Sequence, residues 1–178
     1  MTNRTDILKL VEARSTIVEL GVAQGELSES LLGTGLVGHL YSIDAWAGDR
    51  RHDDRQYAQA LKRLEPYKDI NTVMRMTFNQ ALNHFEDESI DLLYVDGYAH
   101  TGMNGDTVRN WYPKVKPGGI VSGDDYSMKF PLNVRAIDQF VKDYELEFNL
   151  LECADPNSRW GRYNSWWARK PQETLRES

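Results

Sequence analysis

The chain is short of several things, and each shortage excludes a class of protein. Its 178 residues include a single cysteine, Cys153. One cysteine rules out an internal disulfide and a cysteine-rich zinc site, and it fits a reducing cytoplasm. No apolar run reaches membrane-spanning length, and the opening Met-Thr-Asn-Arg-Thr-Asp lacks a signal-peptide core, so no membrane association is expected. Basic residues are outnumbered, 21 Lys and Arg against 27 Asp and Glu, for a net charge of −6. No nucleic-acid partner is therefore expected, although Arg50-Arg51 makes a local basic pair. There is no internal repeat and no low-complexity tract. What remains is 40% hydrophobic and 27% charged, the composition of a soluble globular protein. The length suits one domain over residues 1–178 with a single sizeable core.

The stretch Ile17-Val-Glu-Leu-Gly-Val-Ala-Gln-Gly25 organises the rest. Ile17, Val18 and Leu20 around one acid suit a buried strand, Gly21 and Gly25 allow a tight turn, and Glu26–Leu32 opens a helix. Strand, glycine turn and helix in that order form the entry to a nucleotide-binding α/β sheet. A dinucleotide is a poor fit. A pyrophosphate site wants three glycines at fixed offsets and a helix start that welcomes negative charge. Here Glu19, Glu26 and Glu29 surround the turn. Carboxylates there suit a ligand without phosphate and with a positive centre, such as the sulfonium and amino group of S-adenosylmethionine.

The remaining pattern alternates helix and strand. A helix is expected over 5–13, strands over 39–43, 70–76 and 89–96, and helices over 53–64, 79–85 and 103–112. A fifth strand leads to Asp124-Asp125, a helix covers 133–144, and two last strands span 147–152 and 165–169. Residues 170–178 read as a frayed tail. Asp44 ends the second strand about 20 residues past the glycine turn, where an acid meets the two ribose hydroxyls of a bound nucleoside. Trp46, with Ala45 beside it, sits in a polar loop, and an exposed tryptophan there suggests stacking on adenine or substrate. Thr77 lies in the turn after the third strand, which skirts the adenine in such folds. Cys153 falls in or beside a strand and reads as core rather than nucleophile.

Asp96, Asp124 and Asp125 are expected to emerge together, because neighbouring parallel strands lie roughly 4.8 Å apart. Three carboxylates so close repel one another unless a cation sits between them or a proton is taken up. A hard divalent cation, Mg²⁺ first and Mn²⁺ or Ca²⁺ next, is the economical candidate. Asp96 is also a candidate for cofactor binding and for catalysis. His100 follows it in the next loop and is the candidate general base, since an imidazole titrates near working pH.

The order of these motifs resembles the class I S-adenosylmethionine-dependent methyltransferases. Glu19-Leu-Gly21-Val22-Ala-Gln-Gly25 resembles their first motif and Ser42-Ile-Asp44 their second. Three further stretches are similar to one branch, the methyltransferase-24 type small-molecule O-methyltransferases: Asp44-Ala-Trp46-Ala-Gly48-Asp49, Val95-Asp96-Gly97-Tyr-Ala-His100, and Pro117-Gly-Gly-Ile-Val-Ser-Gly-Asp124-Asp125-Tyr126. The resemblance implies a Rossmann-like, doubly wound, seven-stranded sheet in the order 3-2-1-4-5-7-6 with the seventh strand antiparallel. It implies adenosylmethionine held by Glu19, Gly21, Val22, Gly25, Asp44, Ala45, Trp46, Thr77 and Asp96, and Mg²⁺ held by Asp96, Asp124 and Asp125. It also implies a small-molecule acceptor bearing a hydroxyl. The chain departs from the pattern at Ala23, where many relatives carry glycine, and in the little sequence before its first strand, so a substrate lid is expected to be nearly absent. Some relatives complete their sites across subunits, which leaves room for a homo-oligomer.

Overall fold

The computed structural model describes residues 4–48, 52–96, 106–152 and 162–172. Seven strands, β1 (Ser15–Leu20), β2 (Val37–Asp44), β3 (Asn71–Arg75), β4 (Ile90–Val95), β5 (Val115–Tyr126), β6 (Phe148–Leu151) and β7 (Asn164–Arg169), form one sheet. Their order is β3-β2-β1-β4-β5-β7-β6. The first five run parallel, and β7 runs antiparallel between β5 and β6. This is the expected topology.

Both sheet faces are covered, which is why the central strands read as nearly continuous apolar runs. Side chains alternate along each strand. Val18 and Leu20 of β1 and Leu93 and Val95 of β4 enter one core, with Trp111, Ile137 and Phe140. Ile17 of β1 and Leu92 and Tyr94 of β4 enter the other, with Leu31, Leu32 and Leu64. Trp111 belongs to α4 (Asp106–Trp111), and Ile137 and Phe140 to α5 (Pro131–Asp143). Leu31 and Leu32 close α1 (Glu26–Leu32), and Leu64 ends α2 (Asp54–Leu64). Each such side chain, fully buried, contributes about 1.5–3 kcal/mol relative to exposure. A one-turn helix, α3 (Phe78–Ala81), follows β3 and is preceded by its cap, Thr77.

Several boundaries differ from expectation. The N-terminal segment is a 3₁₀ helix over Arg4–Leu10 instead of an α-helix over 5–13. Its three-residue period brings Asp6 and Lys9 into an ion pair at 2.6 Å and still buries Ile7 and Leu8. The helix before Pro66 ends at Leu64 as expected, whereas Pro113 turns the end of the helix expected over 103–112 into a short 3₁₀ turn, since proline lacks the N–H that would extend an α-helix. Lys116-Pro-Gly-Gly119, a turn-forming sequence, is an irregularity inside β5: Ile90 pairs with Val115, yet Leu92 pairs with Ile120. Lys170 is not frayed. Its N–H donates to the Gly119 carbonyl at 2.8 Å and its carbonyl accepts from Gly118 N–H at 2.9 Å. Residues 173–178 lie outside the described residues. Among those described, no helix is long and apolar enough to cross a membrane.

Candidate active site

The carboxyl ends of β1, β2, β4 and β5 meet along one edge. Gly21 leaves β1 with its N–H donating to Ile43 of β2 at 2.9 Å, while Asp96 N–H donates to Leu20 at 2.8 Å. Gly21 has φ +93, and a Cβ built there would lie 3.1 Å from the Asp96 carbonyl oxygen. Only a residue without a side chain fits this contact and this backbone angle easily. Gly25, at φ +80, begins α1.

Asp44 holds the turn between them. Its Oδ2 accepts from the N–H groups of Val22 and Ala23 at 3.0 Å each, and its Oδ1 accepts from Trp46 N–H at 3.0 Å. His52 Nδ1 lies 2.7 Å from Oδ2. Burial pushes the Asp44 carboxyl up, but the His52 bond and the Trp46 and Ala23 N–H groups outweigh it and hold the pKa below its ordinary value. The carboxylate expected to face two ribose hydroxyls is thus surrounded by four protein donors. Three are backbone groups, and only His52 is a side chain. Ala23 sits at φ +49, a left-handed angle that suits glycine better.

Trp46 is not an exposed ring. It is 1% accessible, packs on Val22, Ala60 and Tyr57, and donates its indole N–H to the Ala23 carbonyl at 2.8 Å. Apolar neighbours supplied by α2 bury the ring, which the polar sequence around it concealed. Its side chain braces the turn from beneath, and Ala45 beside it is half-buried. Thr77 caps α3 in a reciprocal box with Gln80. It follows Met76, whose N–H donates to the Asp44 carbonyl at 3.1 Å.

The three glutamates do not charge the turn as expected. Glu26 and Glu29 are paired with Arg63 at 3.7 and 2.6 Å. Glu19 is fully buried and accepts from Ser28 Oγ. Burial pushes its carboxyl up to about 8, so it carries a proton at neutral pH.

Negative charge gathers instead at Asp96, Asp124 and Asp125. The Asp96 carboxyl lies within electrostatic reach of both Asp124 and Asp125. Asp125 has φ +57, and the β5–β7 register slips between Gly123 and Tyr126. That bulge breaks the alternation that would send successive aspartates to opposite faces. Burial, first, and then mutual repulsion raise the pKa of Asp96. Burial likewise raises Asp124, opposed by Arg4, and it raises Asp125 to about 6. The expected acidic rim is therefore present, but a guanidinium is docked in it. Arg4 Nη2 is ion-paired with Asp124 Oδ2. Ser165 Oγ donates to Asp124 Oδ1 at 3.3 Å and stands 3.1 Å from the Tyr94 hydroxyl. Among the described residues, no group of three His, Cys, Asp or Glu side chains is arranged to hold a metal. His100 and Cys153 lie outside the described residues.

Sequence reasoning missed Arg4, Ser165 and Tyr94. Nothing local marks Arg4, which is 120 positions from its partner. The signal available was charge balance, since three adjacent acids demand a cation from somewhere in the chain.

Comparison with known proteins agrees with this geometry. The sequence model of the methyltransferase-24 family, described as "Methyltransferase domain", matches residues 18–126. An uncharacterized protein, y4gI, of Sinorhizobium fredii (strain NBRC 101917 / NGR234) is 29% identical over 121 residues, 64% of this chain. The match spans 13% of that much longer protein. A SAM-dependent O-methyltransferase from Thermotoga maritima superposes with a TM-score of 0.67 at 13% identity, covering 96% of this chain and 64% of that one. An rRNA methylase from Streptococcus thermophilus gives a TM-score of 0.67 at 14% identity, covering 97% of this chain and 99% of that one. At such identities these two structures speak for the fold alone. The family match covers well over half of the chain, from β1 through the paired aspartates of β5, and the chain belongs to the methyltransferase-24 family of class I S-adenosylmethionine-dependent methyltransferase domains.

Proposed function

We propose that this domain transfers a methyl group from S-adenosylmethionine to a hydroxyl oxygen of a small molecule. The observation that carries the reading is the rim where side-chain-free Gly21 touches Asp96, with Asp124 and Asp125 close by. A glycine turn beside net negative charge suits a phosphate-free ligand with a positive centre, and the family match supplies the reaction class. Bound there, S-adenosylmethionine supplies a methyl group on a positively charged sulfur.

The chain's own residues do the rest. Gly21, Val22 and Gly25 shape the turn, Asp44 keeps it in place, and the Ala45–Trp46 and Thr77 segments flank it. Glu19 underpins the turn as a buried neutral acid. Asp96 provides negative charge beside the turn. Asp125, half-buried and held near 6, can take the proton of an acceptor hydroxyl. His100 is the second candidate for that proton. Holding donor and acceptor in line contributes several kcal/mol by removing orientational freedom. The net charge of −6 favours a small acceptor over a nucleic acid, and the lone cysteine accords with a cytoplasmic setting.

The Mg²⁺-assisted version expected from the resemblance requires Asp96, Asp124 and Asp125 to turn oxygens to one point. As arranged they do not fit a divalent ion, because Asp124 faces Arg4 with one oxygen and Ser165 with the other. A transfer that needs no metal is the version this geometry favours.

Calorimetry with S-adenosylhomocysteine, followed by turnover on a panel of hydroxylated small molecules, tests the reading. Binding of S-adenosylhomocysteine but not NADH is expected, with turnover lost in Asp96→Asn. Binding without turnover on any acceptor would reduce the domain to an adenosylmethionine-binding module, and failure to bind would refute the reading altogether.

A further inference from the structure

We propose that Arg4 is the resident cation of the acidic rim: it takes the Asp124 oxygen a divalent ion would need, and so excludes one. The acids at the ends of β4 and β5 have to be balanced by positive charge or by protons. The structure supplies a tethered guanidinium from the N-terminal 3₁₀ helix, ion-paired to Asp124. Arg4 and Asp124 side chains are 18% and 4% accessible, so the pair is largely removed from water. Burial works against the charge on Arg4, but Tyr94, Asp124, Asp96 and Asp125 together outweigh it, and the guanidinium stays charged at every accessible pH.

Three features make this a built contact rather than a chance surface pair. Ile7 and Leu8, 0% and 4% accessible, anchor the helix one turn beyond Arg4 and fix where its side chain can reach. Asp124 Oδ1 is oriented by Ser165, so Oδ2 is directed to Arg4. Arg4 Nε is buried and has no hydrogen-bond partner among the described residues, so the ion pair to Asp124 holds the side chain where water would otherwise solvate it. A cation and a guanidinium cannot share Asp124 Oδ2. A divalent ion therefore binds only if Arg4 withdraws, which removes the partner from a buried carboxylate.

The inference concerns the chain's own charges and does not depend on which acceptor is methylated. Its test is Mn²⁺ binding, read by electron paramagnetic resonance and calorimetry, on wild type, Arg4→Lys, Arg4→Gln and Arg4→Gln/Asp124→Asn. Wild type and Arg4→Lys should bind Mn²⁺ at least tenfold more weakly than Arg4→Gln, and adding Asp124→Asn should abolish the gain. Arg4→Lys keeps the charge, so it separates exclusion by a cation from damage to the fold. Wild type binding Mn²⁺ as tightly as Arg4→Gln would overturn the proposal. So would an Arg4→Lys protein that binds it tenfold better than wild type. Parallel titration with S-adenosylhomocysteine keeps the outcomes distinct, since its failure to bind bears on the proposed function and leaves the role of Arg4 standing.

Discussion

Gly21 and Asp96 lie against each other at the ends of adjacent parallel strands, close enough that a single methyl on Gly21 would meet the Asp96 carbonyl at 3.1 Å. The contact joins the glycine turn to the acidic rim. It also makes Gly21 a position where the fold and the proposed ligand site are coupled.

Gly21→Ala should therefore damage both. A left-handed angle costs a non-glycine residue about 1–2 kcal/mol, and the crowded carbonyl adds to this. For a chain of this size each kcal/mol lowers the melting temperature by about 2–4 °C. A melt should show that fall, and calorimetry should show weaker S-adenosylhomocysteine binding. A variant that melts like wild type would mean that the turn relaxes freely and the contact is incidental.

Glu19 gives the domain a pH dependence of defined sign. Its folded pKa of about 8 lies above the ordinary 4.5, so between those values the folded state holds a proton that the unfolded state has released. The corresponding stability is present at low pH and is lost as pH rises through the folded pKa. The rim aspartates act in the same direction, so wild type alone does not isolate Glu19. Glu19→Gln does, because it keeps an oxygen to accept from Ser28 and cannot ionise. Its melting temperature relative to wild type should climb from pH 5 to pH 9. A constant difference would place the Glu19 proton elsewhere.

The fold was legible because its signals are local. Runs such as Ile17–Leu20 and Leu92–Val95 are apolar on both faces, and strands buried on both sides leave that signature whatever surrounds them. Gly21 and Gly25 were legible for a similar reason, since positive backbone angles leave few alternatives. What stayed hidden depends on side chains brought together over long separations. Trp46 looks exposed because its sequence neighbours are polar, but Tyr57 and Ala60 of α2 cover it. Glu19 looks like negative charge, yet burial protonates it. The rim at Asp96, Asp124 and Asp125 was readable from strand ends, and its counter-cation was not, because Arg4 sits in an unremarkable N-terminal segment.

Asp44 should prove more a support for the turn than an exposed ligand. Asp44→Asn places an amide NH₂ where Val22, Ala23 and His52 already donate, and one acceptor is lost. Leaving buried donors unpaired costs about 1–3 kcal/mol, which a denaturant titration should report. The depressed pKa of Asp44 means that its stabilisation holds above the ordinary carboxylate range and fades as pH falls through the lower folded value. Wild type should therefore lose its advantage over Asp44→Asn in strong acid. His52→Ala, by contrast, removes only the side-chain donor. It should leave the melt within a few degrees of wild type and tighten S-adenosylhomocysteine binding if ribose hydroxyls take its place on Oδ2. Weaker binding in His52→Ala would show that the imidazole itself helps to hold the ligand.

Ser165 tests whether β7, which contributes no acid, helps to set the rim. Its hydroxyl stands between the Tyr94 hydroxyl at 3.1 Å and Asp124 Oδ1 at 3.3 Å, and all three side chains are buried. Tyr94 is held well above its ordinary pKa, by burial first and then by Asp124, so it stays a donor at any working pH. Ser165→Ala strands that donor and frees Asp124 Oδ1, at a cost of about 1–3 kcal/mol in a denaturant titration. Tyr94→Phe/Ser165→Ala removes both partners with little change in shape, and should recover much of the loss. Recovery would show that the penalty comes from an unpaired hydroxyl and not from a cavity. With Oδ1 released, Asp124 is also freer to turn away from Arg4. Turnover in Ser165→Ala should then fall by more than its stability loss explains, and the double variant should stay equally slow although it is stable again. If activity returned along with stability, Ser165 would act on the fold alone, and the orientation of Asp124 would rest on Arg4.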